Sequence, residues 1–153
     1  MSVTEKIFDN QSKLYQEDFY LWVQTTAKLL REKRFNEIDL ENLVDEVETL
    51  GRAERKAIRS NLKVLLMHLL KYQYQPEKRS NSWNYTIIEH RNHLKSDLKD
   101  SPSLKPYLQE IFAEVYVDAR VEAAAETNLP LKTFPQESPF TPEQTLNSEF
   151  YPE

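Results

Sequence analysis

A single glycine, Gly51, occurs in 153 residues, where average usage would give about 7%. Glycine supplies the positive-φ turns and close backbone approaches that phosphate-cradling loops need. GxGxxG and Walker A sequences are therefore excluded, and with them Rossmann and P-loop enzymes of the usual type. A chain so poor in glycine must turn with other residues, and its remaining signals are helical. No segment alternates apolar and polar residues over a strand's length, so no sheet is expected.

The strongest periodic segment covers residues 52–74. Ile58, Leu62, Leu65, Leu66, Leu69 and Tyr72 form one stripe, and Val64, Met67 and Leu70 add apolar surface around it. A helix apolar nearly all round is a central one. Pro76 ends it. Before it, residues 16–33 read as a first helix, with Tyr15, Phe19, Trp22, Val23, Thr26, Leu29 and Leu30 on its inward face. Asp39 is placed to cap a second helix, with Asn42 three residues on, whose stripe is Leu40, Leu43, Val44 and Val47. Gly51 either ends that helix or kinks it into the next. Ser82 can cap a fourth helix with Trp83, Ile87, His90, Leu94 and Leu98 on one face. Ser103 can cap a fifth that runs to about Thr127, with Leu104, Leu108, Ile111, Phe112, Val115 and Ala119 inward.

From Leu129 the composition changes: this segment holds five of the eight prolines. Within it "TPEQ" is a capping box, with Thr141 at N-cap, Pro142 at N1 and Gln144 at N3. Phe134, Phe140, Phe150 and Tyr151 are spaced like anchors, so the segment is expected to pack on the bundle rather than remain disordered. The expectation is one all-α domain over residues 1–153: a bundle of about five helices over about 15–127, and a packed extension over about 128–153.

No cysteine is present, which removes disulfides, thiol nucleophiles and Cys-type zinc sites. "MSVTEKIFDN" has no apolar h-region, and the longest apolar run, "VLLMHLL", is far too short to span a bilayer. These features point to a cytoplasmic protein that does not enter a membrane. Charge is segregated: residues 51–99 hold 11 basic and 4 acidic residues, residues 1–50 hold 6 and 11, and residues 100–153 hold 3 and 10. The basic middle is read first as facing acidic neighbours, and alternatively as a nucleic-acid surface over residues 52–99.

Three candidate sites emerge. Helices three and four, joined by a short loop, are antiparallel neighbours, which sets His68 and His90 within roughly 3 Å of one level. Glu114 on helix five is expected near the same level, so two imidazoles and a carboxylate could meet there. His93 points about 60° away from His90, and the Glu-x-x-His pattern of di-iron bundles is absent. A hydrogen-bonded core histidine is therefore preferred, and neither metal nor cofactor is assigned. The second candidate is the loop itself, where Lys78 and Arg79 lie among Tyr72, Tyr74 and Trp83. Such a cluster can stack bases, or it can staple the turn, with Arg79 paired to Glu122 or Asp118. The third is a solvent-side ridge of Arg52, Lys56, Arg59 and Lys63. No serine or threonine sits in a nucleophile elbow, and no catalytic residue is assigned.

The words "DFYLWVQTTAKLLREKRFNEIDLENLVDEVETLGR", "LLMHLLKYQYQPEKRSNSW", "SPSLKPY" and "LPLKTFPQESPFTPEQTL" resemble the bacterial Domain of Unknown Function 29 family. The resemblance runs from about Tyr15 to the C-terminus. It implies an all-helical bundle with a C-terminal extension, and it implies no activity and no catalytic residue. The leading expectation is an interaction or adaptor protein without catalysis that binds a protein partner. The alternatives are a metal-dependent bundle enzyme using His68 and His90, and a nucleic-acid-associated regulator. Oligomeric state is left open.

Overall fold

The computed structural model describes residues 2–153, with side chains at 2–3 and 10–153. Among them the chain forms α1 (Val3–Glu17), α2 (Phe19–Arg31), α3 (Leu40–Tyr74), α4 (Asn81–Asp100), α5 (Leu104–Thr127) and α6 (Pro142–Leu146). Single 3-10 turns lie at Phe35–Glu37, Pro76–Lys78 and Leu131–Thr133, and no strand is described. The all-α class is as expected. The chain divides into two compact units, Met1–Arg52 and Ala53–Glu153.

In the first unit, the predicted helix over 16–33 is divided at Asp18. Its carboxylate accepts from Leu21 N at 3.1 Å and caps α2. The preceding α1 lies outside the predicted elements, because apolar residues before Tyr15 are too sparse to mark a face. Trp22, Leu29 and Ile38 are buried. Trp22 takes the edge of Tyr15 at 4.8 Å and stacks with Phe19 at 5.9 Å. Asp39 caps α3 as expected: Asn42 N donates to Oδ1 at 3.4 Å, and Asn42 Nδ2 to Oδ2 at 2.5 Å. The helix then runs unbroken through Gly51 for 35 residues, so the glycine does not end it.

In the second unit, Ile58, Leu62, Leu65, Leu66, Leu69 and Leu70 of α3 are fully buried against Ile87, Leu94, Leu108, Val115 and Ala119. This is the predicted core. α4 starts two residues earlier than predicted: Ser80, not Ser82, is the cap, its Oγ accepting from Trp83 N at 3.2 Å. The reason is Pro76, which closes the turn quickly as a 3-10 helix and leaves Ser80 extended at the helix mouth. Ser103 precedes α5 without a capping side-chain bond. α5 ends on Asn128 at φ 58°, the left-handed position that asparagine tolerates at a helix end.

The C-terminal segment packs on its unit. The Thr141–Gln144 capping box forms with both bonds at 3.0 Å. Phe134 and Phe140 are buried, and Phe150 and Tyr151 lie against the core. Proline removes backbone donors from this segment, and several of its carbonyls take donors from outside it. α4 and α5 supply them. Arg91, only 1% exposed, donates from Nε to Thr145 O at 2.8 Å and from Nη2 to Phe150 O at 3.1 Å. Arg120 Nε donates to Phe134 O at 3.0 Å, and Tyr116 Oη to Pro135 O at 2.5 Å.

Arg91→Met should lower stability by about 2–4 kcal/mol, because it strands two inward carbonyls. Urea unfolding measures this, and a loss under about 0.5 kcal/mol would contradict the assigned role. Gly51→Ala should act oppositely. A Cβ there meets nothing within 4 Å, so the gain in helix propensity, about 0.5–1 kcal/mol, should appear as a raised unfolding midpoint.

Candidate functional site

His68 and His90 have separate partners within the bundle. His68 Nδ1–H donates to Val64 O at 2.9 Å within α3. His90 Nδ1–H donates to Asn61 Oδ1 at 2.7 Å, linking α4 to α3. Burial holds both imidazoles below the usual histidine range, with Lys71 and His90 adding to the effect at His68. The acid that acts on His68 is Glu126. Glu114, expected beside the histidines, is instead exposed and pairs with Arg59 at 3.3 Å. Being on the flank of its stripe, it turns outward. Among the described residues no group of three His, Cys, Asp or Glu side chains could hold a metal ion.

Arg79 fastens the α3–α4 turn, but not through a carboxylate. Its Nε donates to Tyr72 O at 2.7 Å, its Nη2 to Pro152 O at 3.4 Å, and its guanidinium lies 4.1 Å from the Tyr72 ring centroid. Of the two expected partners, Glu122 is taken by Lys63 at 3.0 Å and Asp118 makes no ion pair with Arg79 among the described residues. An open cleft of about 400 Å³ beside the turn is lined by Tyr72, Arg79, Ser80, Asn81, Asn84 and Tyr151. Trp83 covers the ammonium of Lys71, whose Nζ sits 4.7 Å from the ring centroid. That ammonium also bonds Glu126 at 2.6 Å and depresses its carboxyl pKa.

A ladder thus runs along α3 and α5: Arg59–Glu114, Lys63–Glu122 and Lys71–Glu126. Arg55 lies over the Tyr107 ring at 4.6 Å. Three of the eleven basic residues of the middle thus face acidic residues of α5. Each outer pair is solvent-exposed and worth a fraction of a kcal/mol. Their effect here is to commit cations that a nucleic-acid surface would need free.

The least satisfied surface lies in the first unit. Phe19, Val23, Leu30, Leu40, Val44, Val47 and Leu50, most of them predicted to face a core, are 41–69% exposed. Between α2 and the opening turns of α3, Phe19, Val23, Leu30, Val47 and Leu50 line a groove of about 430 Å³, together with Leu43, Thr26 and Ala27, while Leu40 and Val44 line a separate hollow with Glu41, Asn42 and Asp45. The groove's one charged lining residue, Glu46, accepts from Tyr15 Oη at 2.5 Å. Sequence reasoning assigned these residues correctly to apolar helix faces and missed the groove, because periodicity marks a face without saying what covers it.

The model of the domain of unknown function DUF29 matches residues 14–151, nearly the whole described chain. The chain belongs to the DUF29 family. No curated protein and no solved structure matches it. No helix among the described residues of this DUF29 chain is long and apolar enough to cross a membrane.

The half-buried His68 and His90 give a pH signature. Their folded pKa values lie below the unfolded one near 6.5, so the unfolded chain binds more protons as the pH falls past that value. Stability is full above about pH 6.5 and declines on acidification toward the folded values, by at most about 1.4 kcal/mol per pH unit for each histidine. The depressed Glu126 adds a loss only in the carboxylate range below. Urea midpoints between about pH 7 and 5 should fall in the wild type. They should fall less in His68→Gln and His90→Gln, and an unchanged slope in both variants would refute the assignment.

Proposed function

We propose that this chain is a protein-interaction module, an adaptor without catalysis of its own, and that its binding surface is the apolar groove between α2 and the start of α3. The supporting observation is the groove itself. Five large apolar residues, Phe19, Val23, Leu30, Val47 and Leu50, stand open along it, and contiguous exposed apolar surface of this kind marks interaction sites. The polar groups of the other unit support the same reading from the opposite side. Arg79, Arg91, Arg120 and Lys71 are engaged in holding backbone carbonyls or a carboxylate, and the histidines are fixed to Val64 and Asn61. A cytoplasmic setting accords with the lack of cysteine.

Val47→Glu combined with Leu50→Glu tests this. Both side chains are already exposed, at 59% and 69%, so the unfolding midpoint should shift by no more than about 0.5 kcal/mol equivalent. Anilinonaphthalene sulfonate fluorescence and recovery of partners from the native cell should both drop sharply. Retention of the same dye binding and the same partners by the folded double variant would defeat the proposal.

A further inference from the structure

The groove is apolar on both walls. Those walls are two helices, joined by the connection over 32–39, whose backbone groups are bonded internally. They offer no ladder to an extended strand, so whatever covers the groove must satisfy its own backbone, as a helix does. Glu46, the one charged lining residue, already accepts from Tyr15 Oη. Glu41, Asp45 and Glu48 fall around α3 roughly opposite Leu43, Glu46, Val47 and Leu50, outside the groove lining. No row of like charge therefore stands across the groove.

The open surface has the size of half a dimer interface. The five open groove residues are joined by Leu40 and Val44, about 20° and 60° from Val47 around α3. All seven are 41–69% exposed. At roughly 150–200 Å² per large apolar side chain they present about 550–730 Å² to solvent. Two such faces together would bury about 1,100–1,450 Å², which passes the roughly 1,000 Å² expected of a specific interface and reaches the standard range.

The surface also carries the shape that matches itself. Val47 and Leu50 stand up from the α3 wall, 59% and 69% exposed, while short side chains, Thr26 and Ala27, line the α2 wall. One patch thus holds both a ridge and a low place for it. That is the condition for two copies of a patch to fit about a twofold axis.

We infer that the occupant of the groove is a second copy of this chain. Two α2–α3 pairs pack face to face about a twofold axis as a four-helix bundle, with the α3 ridge of each copy against the α2 wall of the other. This rests on the groove reading above and names its occupant. An anionic bilayer fits the surface less well. Residues 1–52 hold 7 basic and 11 acidic residues, whereas helices that lie on membranes are rich in Lys and Arg.

Sedimentation velocity of the full chain tests this. A dissociation constant of about 1–50 µM is expected for a face of this size. Val47→Glu with Leu50→Glu should weaken association at least about a hundredfold, and Leu30→Glu, from the other wall, at least about tenfold. Both variants should keep the wild-type circular dichroism. The dimer should hold or tighten between about 50 and 500 mM salt, because apolar surface joins copies that each carry net charge −5. A wild-type chain still monomeric at about 100 µM overturns the inference, while the dye and partner-recovery measurements judge the groove separately. A dimer that both variants preserve places the contact elsewhere and overturns it. Loosening by more than about tenfold over that salt range assigns the contact to charge pairs and overturns it. A monomeric chain whose groove binds phosphatidylserine vesicles, or a different protein, assigns the face to that occupant; either result overturns the inference.

Discussion

The guanidinium of Arg91 makes the C-terminal extension part of the fold. A proline-rich segment brings carbonyls to a surface without the donors to answer them. Arg91 answers two from within the core, at Thr145 and Phe150, with its guanidinium 5.6 Å from the Tyr151 ring centroid. Among the described residues no carboxylate pairs with it, and burial lowers its pKa. The buried cation is held instead by carbonyl dipoles and an aromatic face. Arginine suits this position because its planar fork serves divergent acceptors at once, where lysine presents a point charge. Arg79, Arg120 and Tyr116 repeat the scheme at Pro152, Phe134 and Pro135. In every case a bundle side chain donates and the extension's backbone accepts.

Much of this architecture was legible before any coordinates. The stripe from Ile58 to Leu69, the stop at Pro76, the helix ending at Thr127 and the capping box at Thr141 all follow from period and local chemistry. Arg91 was not legible. Two turns of α4 offer Ile87, His90, Arg91 and Leu94, and an apolar stripe assigns arginine outward by default. The acceptors that draw it inward lie more than fifty residues away, and no local pattern reports them. The same holds for Arg79: a carboxylate was the obvious partner in sequence, yet carbonyls of Tyr72 and Pro152 are closer in space.

Charge segregation was legible in sign and not in pairing. α5 carries Glu110, Glu114, Asp118, Glu122 and Glu126 at four-residue intervals, a regularity that itself marks a stripe. α3 presents Arg59, Lys63 and Lys71 to it. The exposed rungs add little to stability. Their order is what matters, because residue numbers rise together on both helices. α3 and α5 therefore run in the same direction, as two helices separated by one antiparallel neighbour must. Lys71 differs from the outer rungs. With Glu126 at one side and the Trp83 face at another, its ammonium is removed from water with its charge answered twice.

The clearest departure from expectation is also the most informative about function. Phe19, Val23, Leu30, Val44 and Val47 carry the same helical spacing as Ile58, Leu62 and Leu65. The second set is fully buried and the first stands open. Periodicity arises wherever selection keeps one helix face dry, and it is indifferent to whether the covering surface belongs to the same chain. Where the chain's own elements cover the stripe, the pattern marks a core. Where they leave it open, as at Val23 and Val47, the same pattern marks a free apolar face instead.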